Sequence, residues 1–136
     1  MLRATGLDIT LHLTGMEHNE LGIIGHGWVD GEKKEQLMST CGTLLSPSKW
    51  EGLSMSVIEA MARGMPVLAS KASEGVFEKS GQVIDLTATA FSNSMGEMIE
   101  GVLWEKMAAA GPKEAEKYNL KRVVTMWGQL YDEVAN

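Results

Sequence analysis

Two glutamates with seven residues between them, Glu51 and Glu59, have the spacing best suited to chemistry in this sequence. Glu51 lies just before a run of helix-compatible residues that ends at Gly64, and Glu59 lies inside that run. Backbone N–H groups at the start of a helix are unpaired and attract anions such as phosphate. We therefore expect phosphates near residues 52–54, with Glu59 accepting hydrogen bonds from a ribose diol and Glu51 facing whatever the phosphates carry.

A strand, a loop, a helix and a second strand are predicted to position these glutamates. The apolar pair Leu44 and Leu45 ends at Pro47, the helical pattern ends at Gly64, and an apolar run resumes over residues 66–69. Both strands are short and apolar without alternation, which is typical of strands covered by helices on both faces. Such a unit places the loop and the helix N-terminus at the carboxyl edge of a parallel sheet.

Simpler interpretations of the same residues remain open at this point. Glu59 and Arg63 are four residues apart in the favourable order, so a solvated helix-surface pair worth about 0.3 kcal/mol would account for both. Glu51 would favour the helix dipole without any ligand, and Ser54 or Ser56 would serve as an N-cap.

The surrounding sequence resembles a known family. Its segments Pro47-Ser48, Glu51-Gly52 and Glu59-Ala60-Met61-Ala62-x-Gly64-x-Pro66-Val67 are similar to the C-terminal, donor-binding domain of retaining GT-B glycosyltransferases of the GT4-like group. A pair of glutamates at this spacing is the hallmark of that group. The similarity is close over residues 27–78 and looser toward the C-terminus. It implies an α/β fold, a single Rossmann-like three-layer domain over residues 1–136 with a mostly parallel sheet.

The resemblance also implies roles for individual residues. Glu59 would hold the nucleotide ribose, and Glu51 would be the catalytic residue that contacts the hydroxyls of the donor sugar. The other implied contacts to the nucleotide sugar involve Ser48, the backbone of Gly52, Leu53, Ser54 and Met55, and the turn at Trp28 and Val29, which faces the nucleobase in the family. For Trp28, a core or lid position is the alternative.

Relative to that family, the sequence is truncated at its N-terminal side. It lacks the acceptor domain, and it lacks the first donor-domain strand and helix with their Gly-Arg and Lys. We expect weak binding of a nucleotide sugar, no turnover by the chain alone, and dependence on an N-terminal acceptor domain. A homodimer or a rearranged N-terminal edge is expected to compensate for the missing central strand. A non-catalytic binding or interaction module derived from a glycosyltransferase is the alternative.

Composition restricts the class of protein. A chain of 136 residues with 44% hydrophobic and 22% charged residues is typical of one globular domain. Its net charge of −6 argues against a nucleic-acid footprint or a basic membrane-binding surface. Apolar runs stay well below the roughly 18 residues of a transmembrane segment, and the start lacks the apolar segment of a secretion signal. We therefore expect a cytoplasmic protein.

Metal and cysteine chemistry are not predicted. Cys41 is the only cysteine, which excludes an intrachain disulfide, and it shares a helical face with Leu37 and Met38. It is therefore expected to be a core residue. An Asp-x-Asp pair is absent, and a metal-ligand spacing is not formed by the three histidines, His12, His18 and His26. We expect no metal site and no cofactor beyond the nucleotide-sugar substrate.

Hydrophobic periodicity predicts the remaining elements. Alternation over residues 7–14 predicts an edge strand, and a second strand is predicted within residues 21–29, joined to the first by an antiparallel hairpin or a shortened loop. Further predicted elements are a helix over 32–41 capped by Asp30, strands at 43–46, 65–70 and 82–86, a long amphipathic helix from Phe91 that breaks at Gly111-Pro112, and a final helix capped by Asn119 with one apolar stripe.

Overall fold

The computed structural model describes residues 9–99 and 101–135. The predicted beginning of the first strand, at Leu7 and Asp8, lies outside these residues. The strands are β1 (Leu11–Leu13), β2 (Met16–Glu20), β3 (Ile23–Gly27), β4 (Leu44–Ser46), β5 (Val67–Ala69) and β6 (Gly81–Val83). The helices are α1 (Gly31–Thr40), α2 (Met55–Ala62), α3 (Ala88–Ile99), α4 (Val102–Ala115) and α5 (Leu120–Ala135), with short 3-10 turns at Lys71–Ser73 and Glu116–Tyr118.

The second half of the fold contains the parallel sheet predicted from the sequence. Its strand order is β4-β5-β6, and both pairings are parallel, with Leu44 opposite Val67 and Val67 opposite Gly81. All three residues of β5 are fully buried. The apolar, non-alternating run at residues 66–69 is therefore explained by helices on both faces of the central strand.

The first sheet has the order β1-β3-β2 and departs from the prediction. β1 is parallel to β3, so the antiparallel hairpin, one of the two connections predicted between the first two strands, is wrong. The hairpin is instead formed by β2 and β3, which are antiparallel. The chain passes over the end of β3 at Gly15, whose N–H donates to Gly27 O at 2.7 Å. Both glycines have positive φ values, 87° and 64°, which other residues rarely adopt.

Two clusters of buried side chains lie on the two faces of the parallel sheet. The first joins α2 to β5 and to the loop after it, with Met38 of α1 and Cys41 against its rim. Cys41 is therefore a packing residue as predicted, and burial raises the pKa of its thiol. The second cluster joins β5 to α3 and α4, through Leu68, Ile84, Phe91, Met98 and Met107. This is the three-layer arrangement expected from the sequence.

The predicted break at Gly111-Pro112 is wrong. The long helix is instead divided between α3 and α4, beside Gly101, whose φ of 104° does not continue a helix. Pro112 lies inside α4, where it cannot donate to the carbonyl of Ala108. That carbonyl faces α2, and a Cβ built on Gly64 would lie 3.1 Å from it. Close packing of α4 on α2 thus maintains the helix through the proline.

The final helix begins where the sequence predicts. Asn119 Oδ1 accepts a hydrogen bond from Lys121 N at 2.9 Å, which is the expected cap. The apolar stripe of α5 lies on the surface and includes Leu120, Val124, Trp127, Leu130, Tyr131 and Val134. In residues 9–99 and 101–135, each helix is too short or too polar to cross a bilayer.

Glu114 ties α4 to the start of β6. Its carboxylate accepts hydrogen bonds from three successive backbone N–H groups, those of Glu78 (2.9 Å), Lys79 (2.7 Å) and Ser80 (3.3 Å), and from Ser80 Oγ (2.7 Å). Partial burial raises the pKa of Glu114, but these four hydrogen bonds outweigh burial, so the net pKa is lowered.

Replacing Glu114 by glutamine is expected to remove a pH-dependent part of the stability. Because the folded pKa lies below the unfolded value, the carboxylate stabilises the fold above the unfolded pKa, and this contribution is lost as the pH falls through the folded pKa. We expect Glu114→Gln to lower the free energy of unfolding by ~1–2 kcal/mol at neutral pH. The loss should shrink toward acid pH in urea titrations. Glu116→Gln, at an exposed position, is the control, and a pH-independent loss would contradict the assignment.

Candidate functional site

The loop between β4 and α2 lies at the carboxyl edge of the parallel sheet. Ser46 ends β4, and its carbonyl accepts a hydrogen bond from Ser70 N at 3.0 Å, just after β5. Ser70 Oγ also donates to the carbonyl of Ser48. The loop is therefore anchored at its beginning by the neighbouring strand, and it leads directly into the N-terminus of α2.

The N-terminus of α2 is not capped by a side chain of its N-cap residue. Ser54 occupies the N-cap position and is buried, but its hydroxyl makes no bond to the first turn and lies 3.2 Å from Ser56 Oγ. The carbonyl of Ser54 accepts the first helical bond, from Ile58 N at 3.2 Å. Ser54 therefore does not cap α2 with its side chain. The N–H groups of the first turn are left for other partners.

Glu51 lies on the exposed part of the loop beside Ser48. Ser48 Oγ donates to Glu51 Oε1 at 2.7 Å, so the structure brings two of the predicted site residues together. Trp50 and Leu53 are 90% and 51% exposed, and a Cβ built on Gly52 would meet nothing within 4 Å. The backbone of this turn is thus open to a ligand.

Glu59 is held by a partner that the sequence reasoning missed. Lys34 Nζ on α1 lies 2.9 Å from Glu59 Oε1 and 2.8 Å from Oε2, so one ammonium contacts both carboxylate oxygens. The two residues are 25 positions apart in the sequence, and no local pattern indicates such a contact. Glu51 and Glu59 therefore have different partners, Ser48 and Lys34.

The alternative in which the Glu59 carboxylate pairs with the Arg63 guanidinium is wrong. Arg63 contacts the backbone carbonyl of Glu59 at 3.0 Å, whereas its guanidinium pairs with the carboxylate of Glu35 on α1. The hydrogen bond from Arg63 lowers the pKa of Glu35 despite partial desolvation, and the charge of Lys34 acts in the same direction. Two ion pairs thus join α1 to α2 and to Arg63 just after it.

Trp28 and Val29 follow β3 and precede α1. Trp28 is 86% exposed, which excludes the core position, while Val29 is half-buried. Next to this turn, His12 Nδ1 and His26 Nε2 lie 2.9 Å apart and their rings stack. Burial, together with Lys33 and His12, lowers the pKa of His26. In the described ranges, no group of three or more His, Cys, Asp or Glu side chains is arranged to hold a metal ion.

Two open surface clefts lie away from the Glu51–Glu59 unit. One, of about 570 Å³, lies at the start of α5 and is lined by Asn119, Lys121 and Arg122 among others. The other, of about 550 Å³, lies on the first sheet beside His18, His26 and Lys33. Both are wide and solvent-open. The predicted phosphate position is at the N-terminal end of α2, where Gly52, Leu53 and Met55 are exposed.

Comparison with known proteins adds evidence on ancestry. The family model for "Glycosyl transferases group 1" matches residues 2–101. A protein described as an uncharacterized glycosyltransferase of Haemophilus influenzae is 30% identical, over 60% of this chain and 25% of that protein. The chain thus spans about a quarter of the length of the curated relative that it matches.

Several solved structures are similar to this fold. Sucrose-phosphate synthase from Thermosynechococcus elongatus has a TM-score of 0.75 at 24% identity, covering 83% of this chain and 30% of the synthase. HepE of Anabaena, solved in complex with UDP, has a TM-score of 0.69 at 22% identity, covering 84% of this chain and 32% of HepE. The C-terminal domain of a Francisella tularensis group 1 glycosyl transferase has a TM-score of 0.66 at 21% identity, covering 73% and 55%. These likenesses agree on the fold. The family match over residues 2–101 covers more than half of the chain, and the chain belongs to the glycosyl transferases group 1 family.

Proposed function

We propose that this chain is the donor-binding part of a retaining glycosyltransferase that uses a nucleotide-activated sugar. The observation that carries the proposal is the open loop between Ser48 and Ser54, which enters α2 at the carboxyl edge of the parallel sheet, with Glu51 in the loop and Glu59 in the helix. Ligands of open α/β sheets bind at such edges. Family membership supports the proposal, as does the similarity of the fold to a protein solved with UDP.

Each predicted residue has a role in the proposed site. The diphosphate rests on the backbone N–H groups of the α2 first turn, near Gly52, Leu53, Ser54 and Met55. Glu59 accepts from the ribose hydroxyls, and Trp28 and Val29 border the nucleobase. Glu51, oriented by Ser48, contacts the hydroxyls of the donor sugar.

Departure of the nucleoside diphosphate from the sugar develops negative charge on the leaving group. N–H dipoles of the helix stabilise that charge, and Lys49 or Lys71 adds a positive charge on neighbouring exposed positions. The acceptor contacts an N-terminal domain that faces this site, so we expect no turnover by the chain alone. A nucleotide-activated donor is consistent with the cytoplasmic location expected from the sequence.

An interaction module derived from a glycosyltransferase is the second candidate. The exposed apolar stripe of α5 favours it, because a stripe that includes Trp127 at 54% and Tyr131 at 67% exposure is typical of an interaction surface. This candidate keeps the fold without requiring Glu51 or Glu59 to contact a ligand.

Isothermal titration of the chain with UDP, GDP and ADP separates the two candidates. A donor-binding domain should bind one of the three nucleotides in preference to the others. Absence of heat with all three at millimolar concentration would contradict the donor-binding proposal and favour the interaction module.

Backbone groups at one edge of β4 supply a reason to expect self-association. Leu44 N donates to Pro66 O at 2.9 Å and Ser46 O accepts from Ser70 N, so the backbone of Leu45 faces the opposite edge. Among the described residues, β5 is the sole strand that pairs with β4. β4 is thus an edge strand of this sheet, and an edge strand is a template for pairing with a strand from another molecule.

We therefore expect the chain to form a homodimer in solution. Multi-angle light scattering after gel filtration should give about twice the chain mass of 14.8 kDa, with the dimer fraction rising with concentration. A single species of 14.8 kDa over the whole accessible concentration range would contradict this prediction.

A further inference from the structure

Lys34 contacts both oxygens of the Glu59 carboxylate, at 2.9 and 2.8 Å. The side chains of the pair are 37% and 30% exposed, so the contact is partly shielded from water. An ammonium held evenly between two oxygens restricts the rotation of the carboxylate as well as its position. Lys34 thus sets the orientation of Glu59.

A carboxylate paired in this way can still accept hydrogen bonds. An ionised carboxylate has about four lone-pair positions on its two oxygens, and Lys34 takes one on each. One position on each oxygen remains for a donor, which matches the two neighbouring hydroxyl groups of a ribose. The ion pair and a bound diol are therefore compatible.

Charge gives a second reason for the pairing. A nucleoside diphosphate is an anion, and this chain carries a formal net charge of −6. An unpaired Glu59 would repel the phosphates bound at the start of its own helix, because fixed charges act over several ångströms in a partly desolvated site. The positive charge of Lys34 offsets the repulsion between the Glu59 carboxylate and the phosphates.

The neighbouring ion pair, Arg63–Glu35, helps to distinguish a role of Lys34 in ligand binding from simple cross-linking of the helices. Arg63 on α2 pairs with Glu35 on α1, one residue beyond Lys34, so α1 is already joined to α2 without the Glu59 carboxylate. A structural cross-link would make the two pairs equivalent. A role in ligand binding would make only the Lys34–Glu59 pair matter for nucleotide affinity.

We propose that Lys34 is a positioning residue of the donor site: it holds the Glu59 carboxylate ready for the ribose hydroxyls and neutralises it beside the diphosphate. This inference rests on the proposed function, since it assigns Lys34 to the same nucleotide. It goes beyond that function because Lys34 lies outside the loop and helix that contact the ligand.

A double-mutant cycle on the full chain tests the inference. Affinity for whichever of UDP, GDP and ADP the wild type binds is measured by calorimetry for Lys34→Met, Glu59→Gln and the double variant. We expect Lys34→Met to weaken binding about tenfold in the wild type and about threefold when Glu59 is already glutamine. The charge of Lys34 acts on the diphosphate in both backgrounds, whereas its hold on the carboxylate acts only in the first. Lys34→Arg keeps the charge and should recover most of the lost affinity.

Glu35→Gln is the matched control, because it breaks the other ion pair between α1 and α2 and leaves Lys34–Glu59 intact. It should change nucleotide affinity less than about twofold. The affinity for the 2′-deoxy form of the nucleotide distinguishes positioning from a purely structural role. A structural role of Lys34 would give the same loss of affinity with both forms. With one ribose hydroxyl removed, the effect of Lys34→Met should become smaller.

The outcomes are distinct. Equal losses from Lys34→Met in both backgrounds would show that Lys34 does not act through Glu59, and tighter binding by Lys34→Met would make Lys34 a competitor of the ligand. Either result overturns the inference and leaves the proposed function standing. Failure of the wild type to bind any of the three nucleotides would overturn the proposed function, and the inference with it.

Discussion

Glu59→Ala is expected to weaken nucleotide binding more than tenfold, which corresponds to a loss of at least about 1.4 kcal/mol. The alanine cannot accept hydrogen bonds from the ribose, and hydrogen bonds to a charged group contribute about 1.5–3 kcal/mol each. Calorimetric titration with the preferred nucleotide measures the change directly.

Glu105→Ala is a suitable control for this prediction, because Glu105 is exposed in the first turn of α4 and lies on another helix. The control should bind with wild-type affinity. Wild-type affinity in Glu59→Ala itself, with an unchanged thermal transition, would remove Glu59 from the site.

Gly111→Ala is expected to destabilise the fold by ~3 kcal/mol. A Cβ at this position would lie 2.6 Å from Met61 O and 3.3 Å from the backbone carbon of the same carbonyl, so the backbone of α2 or α4 must move. Gly111 and Met61 are buried between these helices. Because α2 also carries Glu59 and follows the loop proposed to bind the diphosphate, the shift should reduce nucleotide affinity as well.

The same substitution at Gly96 is expected to stabilise the fold instead of destabilising it. Gly96 lies inside α3, and a Cβ there would meet nothing within 4 Å. Alanine should therefore stabilise the helix, by up to about 1 kcal/mol. Urea unfolding of the two variants gives both values, and equal effects at the two glycines would contradict the close approach of α4 to α2.

Local sequence signals predicted the elements that position the site. Gly64 ends α2 with a φ of 69°, and the apolar run after it is the fully buried β5. Asn119 caps α5 with its side chain. These features depend on residues adjacent in the chain, so composition and periodicity are enough to find them.

The elements that were missed depend on contacts between distant segments. β2 is the polar sequence Met16–Glu20, and it is a strand because its backbone pairs with β3, which side-chain periodicity does not indicate. The helix continues through Pro112 because α4 packs against α2. Tertiary contacts thus outweighed the local preference at both places.

For the candidate site, too, local features were predicted from the sequence and contacts between distant segments were not. The loop, the helix start and the positions of Glu51 and Glu59 follow from the sequence of one continuous segment. The partners of the two glutamates differ in their distance along the sequence. Ser48 is three residues from Glu51, whereas Lys34 reaches Glu59 from a helix that precedes β4, and only the folded structure brings them together.

Nuclear magnetic resonance of the isotopically labelled chain, titrated with UDP, GDP or ADP, tests the central claim most directly. If the open helix end beside Glu51 and Glu59 binds the nucleotide, the largest amide shifts should fall on Gly52, Leu53, Ser54 and Met55, followed by Glu59 and Lys34. Shifts confined to the cleft at the start of α5, or to the cleft beside His18 and His26, would contradict the account.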